Sequence, residues 1–541
     1  MYEAQLPADW TYILNDSGAK LLFCATQDIY DRVQKQVAPS VPAVQEILCL
    51  DAAAGEPHAF ATIMELTQAK SDTDGQLIIT PSIDDLADLI YTSGTTGKPK
   101  GVELTHGNFT SNAKAAARSL VKDPREMIRR DDRSLAFLPW AHSYGQTLEL
   151  WASMAHGSSM GICRGVPLIL EDLQMVKPTL LFAVPTLFKK IYDGVHNMIQ
   201  TSSPIRKQLM TSALEIGAKK VHSESLGLVD NVKFKILDKL VLSKIRARFG
   251  GRLRTGYVGG AACPAEVLQF MDSLGIPVCE GYGLTETSPL ICLNTPEQRK
   301  VGSVGRPIGG VTVYIVNEEG QALDVGQEGE ICCTGPNVMH GYYKNPAATE
   351  EVISIAPDGK SRMFHTGDLG RMGEDGFLSV TGRVKELYKL ENGKYVVPTP
   401  IEEKISLSRF ITQVVLVGAN RPYNTALLVP EWPVIRAHLK IADSVSDEEL
   451  VNDERVKELI DSEVKNACQK MKKYEVPHAW ALVAPFTAAN GMLTPKMSIR
   501  RHKVVEAYAD VIALMYGDEP KEATSSTDSS AKDHGEKEAV A

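Results

Sequence analysis

Two rhythms of apolar and polar positions alternate along the 541-residue chain. Short β-branched runs end in glycine-bearing loops at 87–94, 254–260 and 277–283. Between them apolar residues return at helical spacing, as in Leu187, Ile191, Val195 and Met198. Strand–loop–helix alternation predicts an α/β fold in which ligands gather at the carboxyl ends of parallel strands. The three glycine-bearing loops are therefore expected to share one crevice. From 301 to 380 the texture changes to short alternating runs, such as 311–316 and 329–333, bounded by Gly, Pro and Asn. That pattern predicts a β-rich sub-domain. Beyond 383 a smaller unit follows, with strands expected at 413–417 and 425–429. Val456, Leu459, Ile460, Val464, Ala467, Cys468 and Met471 line one apolar helical face, read as core.

Composition narrows the picture without redirecting it. The chain is 43% hydrophobic and 23% charged, ordinary for a globular protein and long enough for more than one core. No apolar run approaches the ~18 residues of a membrane-spanning helix, and residues 1–5 lack a basic-then-apolar leader pattern. Nine scattered cysteines fit a reducing compartment better than a disulfide framework. Cys332-Cys333 has no partner pair at metal-ligand spacing and reads as buried strand. A formal charge of −9 argues against general nucleic-acid binding. Locally the balance swings both ways. Residues 518–541 hold seven acids and three bases with no aromatic, and are expected to be disordered. Residues 203–254 hold twelve bases against four acids. That stretch suits an anionic membrane or the phosphates of coenzyme A, although solvated helix faces are the favoured reading.

The densest chemistry lies at 90–101, Ile-Tyr-Thr-Ser-Gly-Thr-Thr-Gly-Lys-Pro-Lys-Gly. Gly94 and Gly97 leave backbone N–H groups free to turn toward an anion. Thr92, Ser93, Thr95 and Thr96 add hydroxyl donors, and Lys98 and Lys100 add positive charge. The arrangement suits the polyphosphate of ATP, yet it is not the Gly-x-x-x-x-Gly-Lys-Ser/Thr loop of NTPases. Four further segments follow in order: 259–262, Gly-Gly-Ala-Ala; 281–287, Gly-Tyr-Gly-Leu-Thr-Glu-Thr; 365–370, His-Thr-Gly-Asp-Leu-Gly; and 382–387, Gly-Arg-Val-Lys-Glu-Leu.

Together these five motifs resemble the signatures of the adenylate-forming (AMP-binding) superfamily, which includes acyl-CoA synthetases and luciferases. The resemblance implies a large N-terminal α/β domain with a β-rich sub-domain (1–382), a small mobile α+β C-terminal domain (383–517) and the acidic tail. Family members carry a sizeable opening sub-domain before the phosphate loop. Only 89 residues precede Ile90, so that sub-domain is expected to be largely missing.

The resemblance also implies roles. Thr92, Ser93, Gly94, Thr95, Thr96, Gly97 and Lys100 would hold the β- and γ-phosphates, and Gly260 and Ala261 would border adenine. Tyr282 and Gly283 belong to the second nucleotide motif, with Tyr282 stacking on the base. Thr285 would donate to the α-phosphate, Glu286 would bind Mg²⁺, Asp368 and Arg383 would hold the ribose, and Lys385 would serve the hinge. The segments 138–145, Leu-Pro-Trp-Ala-His-Ser-Tyr-Gly, 184–192 and 389–402 are similar to the long-chain fatty acyl-CoA synthetase branch, with Trp140 and His142 candidates for the acyl channel. The implied activity is a Mg·ATP-dependent ligation of a fatty acid to coenzyme A, by an enzyme that is cytoplasmic or peripheral on an intracellular membrane. A non-catalytic nucleotide- or acyl-binding remnant, or a ligase for another acid or a carrier-protein acceptor, are the alternatives. One departure bears on the choice. In 493–501, Leu-Thr-Pro-Lys-Met-Ser-Ile-Arg-Arg, Ser498 stands where that branch places its catalytic lysine, and Lys496 lies two residues earlier. Lys496 is the expected catalytic cation.

Overall fold

The computed structural model describes residues 1–3, 5–68, 80–92, 98–117, 127–222, 226–494 and 498–518. Ser93, Gly94, Thr95, Thr96, Gly97 and Lys496 lie outside these. So does the tail beyond Asp518, whose expected disorder is untouched by the structure.

At the centre is a five-stranded sheet in the order Arg306–Pro307, Leu290–Leu293, Val278–Gly283, Thr255–Val258, Leu180–Ala183. The last three run parallel to one another, and Leu290–Leu293 joins antiparallel. Every residue of Leu180–Ala183 and Thr255–Val258 is buried, as expected where both faces are covered. Ile191 and Val195 of the helix Pro185–Thr201, together with Ala213 of Pro204–His222 and Val267 and Met271 of Ala265–Ser273, pack into the core on one face. The other face shares its core with the β-rich unit. That unit has the order Thr312–Val316, Gly329–Thr334, Arg362–Met372, Ile353–Ile355, with Leu378–Arg383 also paired to the long strand, all antiparallel.

One expectation fails here. The phosphate-loop strand, Leu86–Thr92, does not join the parallel sheet. It pairs antiparallel with Lys100–Thr105, and Gly341–Tyr342 adds a third strand. The two strands that flank residues 93–97 thus belong to a separate small sheet. A glycine-bearing loop after an apolar strand fits either topology, and the partner strand eight residues on decides between them.

In the C-terminal portion, Ile411–Val417 pairs antiparallel with Asn424–Pro430, which pairs parallel with Pro477–Leu482. The helix Glu454–Cys468 is capped by Asp453, whose carboxylate accepts from the Arg455 N–H at 2.8 Å. Val456, Ile460, Val464 and Cys468 are buried, while Leu459, Ala467 and Met471 pack around them. Leu407 packs against the large core, and Lys404 pairs with Glu266 across the same boundary. Among the described residues no helix is long and apolar enough to cross a membrane.

Candidate active site

The β-rich unit places the carboxylate of Asp368 by register. Asp368 stands opposite Arg383 on adjacent strands. Its Oδ1 accepts from Arg383 Nε at 2.9 Å, and its Oδ2 accepts from the Tyr282 hydroxyl at 2.8 Å. The backbone before it is held open: Gly367 has φ 71°, and Thr366 Oγ1 donates to the Ile331 carbonyl at 2.6 Å while accepting the Asp368 N–H. Burial pushes the Asp368 carboxyl above its ordinary value, and Arg383 and Tyr282 pull it back only in part. A buried carboxylate with one cation and one hydroxyl donor is prepared to accept from the two hydroxyls of a diol. Sequence reasoning assigned Tyr282 to a base face; here its hydroxyl is committed to Asp368.

A second group assembles around the turn Thr285–Thr287. Gly283, just before it, has no room for a side chain, because a Cβ there would meet the Pro289 carbonyl at 1.7 Å. Thr285 is buried. Glu286 Oε1 accepts from the Tyr342 hydroxyl at 2.8 Å, and Lys100 Nζ lies 4.8 Å from the centre of the Tyr342 ring. Tyr342 reaches this place because Gly341–Tyr342 pairs with the strand that begins at Lys100. Thr92 and Lys100 face each other across the base of the phosphate-loop hairpin. Tyr342, which sequence reasoning missed, therefore links the phosphate loop to Glu286. No local signal marks it, since its partner strand lies more than 200 residues earlier.

The segment 138–145 closes a third side. The Tyr144 hydroxyl donates to the Tyr257 carbonyl at 2.9 Å at the end of a central strand, and a Cβ on Gly259 would meet its ring. Tyr144 thus neighbours the Gly259–Ala262 turn, where Gly260 adopts φ 83° and Ala261 is exposed. His142 Nδ1 accepts the Tyr144 N–H at 3.1 Å. Trp140 is 40% exposed, unlike a residue sealed in core. Lys385 is exposed on the short turn Val384–Glu386 after Arg383, apart from the Asp368 cluster.

The chain after Tyr144 is a π-helix, Gly145–Trp151, a rare conformation that is frequent at functional sites. It carries Glu149, fully buried, with no well-formed hydrogen bond to either carboxyl oxygen among the described residues. Burial raises its pKa to about 9, only partly offset by the Leu138 N–H. The carboxyl is therefore neutral in the folded protein at neutral pH, and the stability its proton confers is lost as pH rises through about 9. The melting temperature of the native chain is expected to fall relative to Glu149→Gln between about pH 5 and about pH 9. Parallel pH profiles for the two proteins would exclude this.

Known proteins resemble this chain in family and in fold. Residues 1–343 match the family described as AMP-binding enzyme, and residues 386–520 match the AMP-binding enzyme C-terminal domain. The chain is 31% identical over 540 residues to Long-chain-fatty-acid–CoA ligase FadD15 of Mycobacterium bovis, covering 96% of this chain and 84% of that protein. It is 30% identical to the peroxisomal Long chain acyl-CoA synthetase 6 of Arabidopsis thaliana, covering 95% and 74%. Among solved structures, the anthranilate CoA ligase AuaEII in complex with anthranoyl-AMP superimposes with TM-score 0.68 at 19% identity, over 94% of this chain and 82% of that one. That likeness supports a mixed α/β fold with a large N-terminal and a small C-terminal domain. With matches to both family domains and relatives aligned over most of its length, the chain belongs to the AMP-binding enzyme family.

Proposed function

We propose that this protein is a long-chain fatty acid:coenzyme A ligase working in two half-reactions. A carboxylate oxygen of the fatty acid attacks the α-phosphorus of ATP and pyrophosphate leaves. The thiol sulfur of coenzyme A then attacks the acyl carbonyl, and AMP leaves as the thiol proton is lost. The observation that carries the reading is the convergence, from five separate segments, of Asp368, Arg383 and Tyr282 beside Gly283–Glu286 and the Lys100–Tyr342–Glu286 chain. The names of the aligned relatives support the fatty acid as substrate.

In this reading Asp368 and Arg383 hold the ribose, and Tyr282 moves its hydroxyl as the diol arrives and offers its ring to adenine, with Gly260 and Ala261 alongside. Thr285 donates to the α-phosphate. Thr92 and Lys100 serve the β- and γ-phosphates with residues 93–97. The half-buried Glu286 carboxylate supplies the hard oxygen that suits Mg²⁺, which on binding would neutralise phosphate charge. Trp140 and His142 border the acyl site. The boundary between the large and small domains falls after residue 382.

A membrane face belongs to the same proposal. The helix Leu228–Leu237 and the turn after it expose Leu228, Val229, Val232, Ile236 and Leu240 on one side. Lys233, Lys235, Lys239 and Lys244 flank the stripe. Apolar residues rimmed by lysine suit an anionic bilayer, where long-chain acids partition.

The test incubates the full chain with Mg·ATP, palmitate and coenzyme A, with and without vesicles containing anionic lipid. Pyrophosphate and palmitoyl-CoA are expected to form together, and the protein to float with the vesicles. Ser498 at the family's lysine position favours one second reading, a nucleotide- and acyl-binding protein without turnover. ATP binding with no pyrophosphate release and no thioester from supplied palmitoyl-adenylate would favour it and exclude the ligase.

A further inference from the structure

Outside the nucleotide cluster, Glu330, Cys332 and His365 each offer one ligand atom, and the three atoms lie within 4.8 Å of one another. Two adjacent strands produce this. Glu330 and Cys332 are two apart on Gly329–Thr334, so their side chains share a face, and Cys332 stands opposite His365. The ladder shifts between Glu330 and Cys332, leaving residues 366–368 as a bulge on the facing strand. There Gly367 turns its N–H to Glu330 Oε1 at 2.9 Å. His365 Nδ1 lies 2.9 Å from Glu330 Oε2 and 3.3 Å from Cys332 Sγ, and its Nε2 lies 2.8 Å from Ser354 Oγ. Spacing along the sequence gave no hint of this, because the donors of Cys332 come from its own strand and from the next.

From this convergence we infer that Glu330, Cys332 and His365 form a three-ligand site for a zinc-class divalent cation, separate from the Mg²⁺ position at Glu286. Bond lengths of about 2.0–2.3 Å put the ligand atoms of a tetrahedral zinc ion roughly 3.3–3.7 Å apart. His365 Nδ1 already lies near these distances from Glu330 and Cys332, and adjustment of the Glu330 carboxylate relative to Cys332 would complete one face of that tetrahedron, with water in the fourth position. Thiolate, imidazole and carboxylate together select zinc over magnesium, which takes oxygen alone. Carboxylate and thiolate balance the charge of the dication. Ser354 completes the arrangement: its hydroxyl can accept from Nε2–H, which leaves Nδ1 unprotonated for the metal. Glu330 and His365, with side chains 25% and 22% exposed, provide the way in. Because Glu330 also holds Gly367, the residue before Asp368, an ion there would brace the turn that carries the ribose carboxylate. The site does not depend on which acid the enzyme activates.

The experiment titrates the chelator-treated full chain with Co²⁺ alone and then with Zn²⁺, followed by absorbance. One equivalent of Co²⁺ is expected to give sulfur-to-cobalt charge-transfer absorption that Zn²⁺ abolishes. Cys332→Ser should remove that absorption, Cys468→Ser should keep it, and Ser354→Ala should weaken binding by about 10–100-fold. No charge-transfer absorption in the folded native protein, or its persistence in Cys332→Ser, would overturn the site. Should Cys332→Ser fail to fold by circular dichroism, Glu330→Gln at a partly exposed position decides: it is expected to lose affinity at least about tenfold, and undiminished affinity would overturn the proposal.

Discussion

Replacing Lys496 with alanine is expected to slow acyl-adenylate formation by about 10²–10³-fold, while conversion of supplied palmitoyl-adenylate to thioester changes little. The reason is that charge builds between the fatty carboxylate and the α-phosphate only in the first half-reaction. A cation placed there lowers that barrier and has no equivalent task in the second. Thr494 and Ser498, on either side of residues 495–497, are paired with each other. The Thr494 N–H donates to the Ser498 carbonyl at 2.8 Å, and the Ser498 N–H donates to Thr494 Oγ1 at 3.1 Å. Leu493 and Ile499 bridge below, and Arg501, next along, makes a two-pronged contact with Glu402 at 2.7 and 2.8 Å. Ser498 thus commits its backbone to Thr494 and leaves an exposed hydroxyl, which cannot supply a positive charge. Restoring a lysine by Ser498→Lys in the Lys496→Ala background should recover adenylation in part. Pyrophosphate release and thioester formation, measured separately, check both variants. Unaltered pyrophosphate release in Lys496→Ala would remove this residue from the mechanism.

The second large effect is expected at Asp368. Asp368→Asn keeps the shape of the side chain but removes the charge that Arg383 faces and one of the two acceptors a ribose diol needs. Hydrogen bonds to charged groups are each worth about 1.5–3 kcal/mol. The loss of one or both predicts a KM for ATP higher by roughly 10- to 100-fold, with the fatty acid KM little changed. Steady-state kinetics with each substrate varied in turn would show it. An equal rise in both constants, or a collapse of the melting temperature, would instead assign Asp368 to holding the fold.

Asp368 and its partner were legible in the sequence. Asp368 sits in a six-residue motif, and the strand register that sets Arg383 opposite it involves residues only fifteen apart, so both were named from the sequence. Thr285, Glu286 and Gly283 were equally local, and the backbone contact at Gly283 explains why glycine stands there. Tyr342 was not legible. It reaches Glu286 through a two-residue strand pairing with a segment some 240 positions away, and no periodicity announces so short a strand. The same holds for the topology of the phosphate loop. The run before Thr92 reads as a strand in either arrangement, but which sheet it joins depends on the partner that follows.

Local chemistry was therefore carried by the sequence itself: which segments are strands and helices, which loops lack side chains, where the hydroxyls, the carboxylates and the missing lysine stand, and hence the family. These properties depend on neighbours within a few residues, and a linear order records them. Tertiary structure alone decided what touches what. It turned the Tyr282 hydroxyl toward Asp368, put Lys100 over Tyr342, sealed Glu149 in a π-helix without a well-formed partner, and set His365 between Glu330 and Cys332. Each of these depends on strand register or on burial by distant segments, which arise from packing the whole chain and leave no mark on the spacing of residues along it.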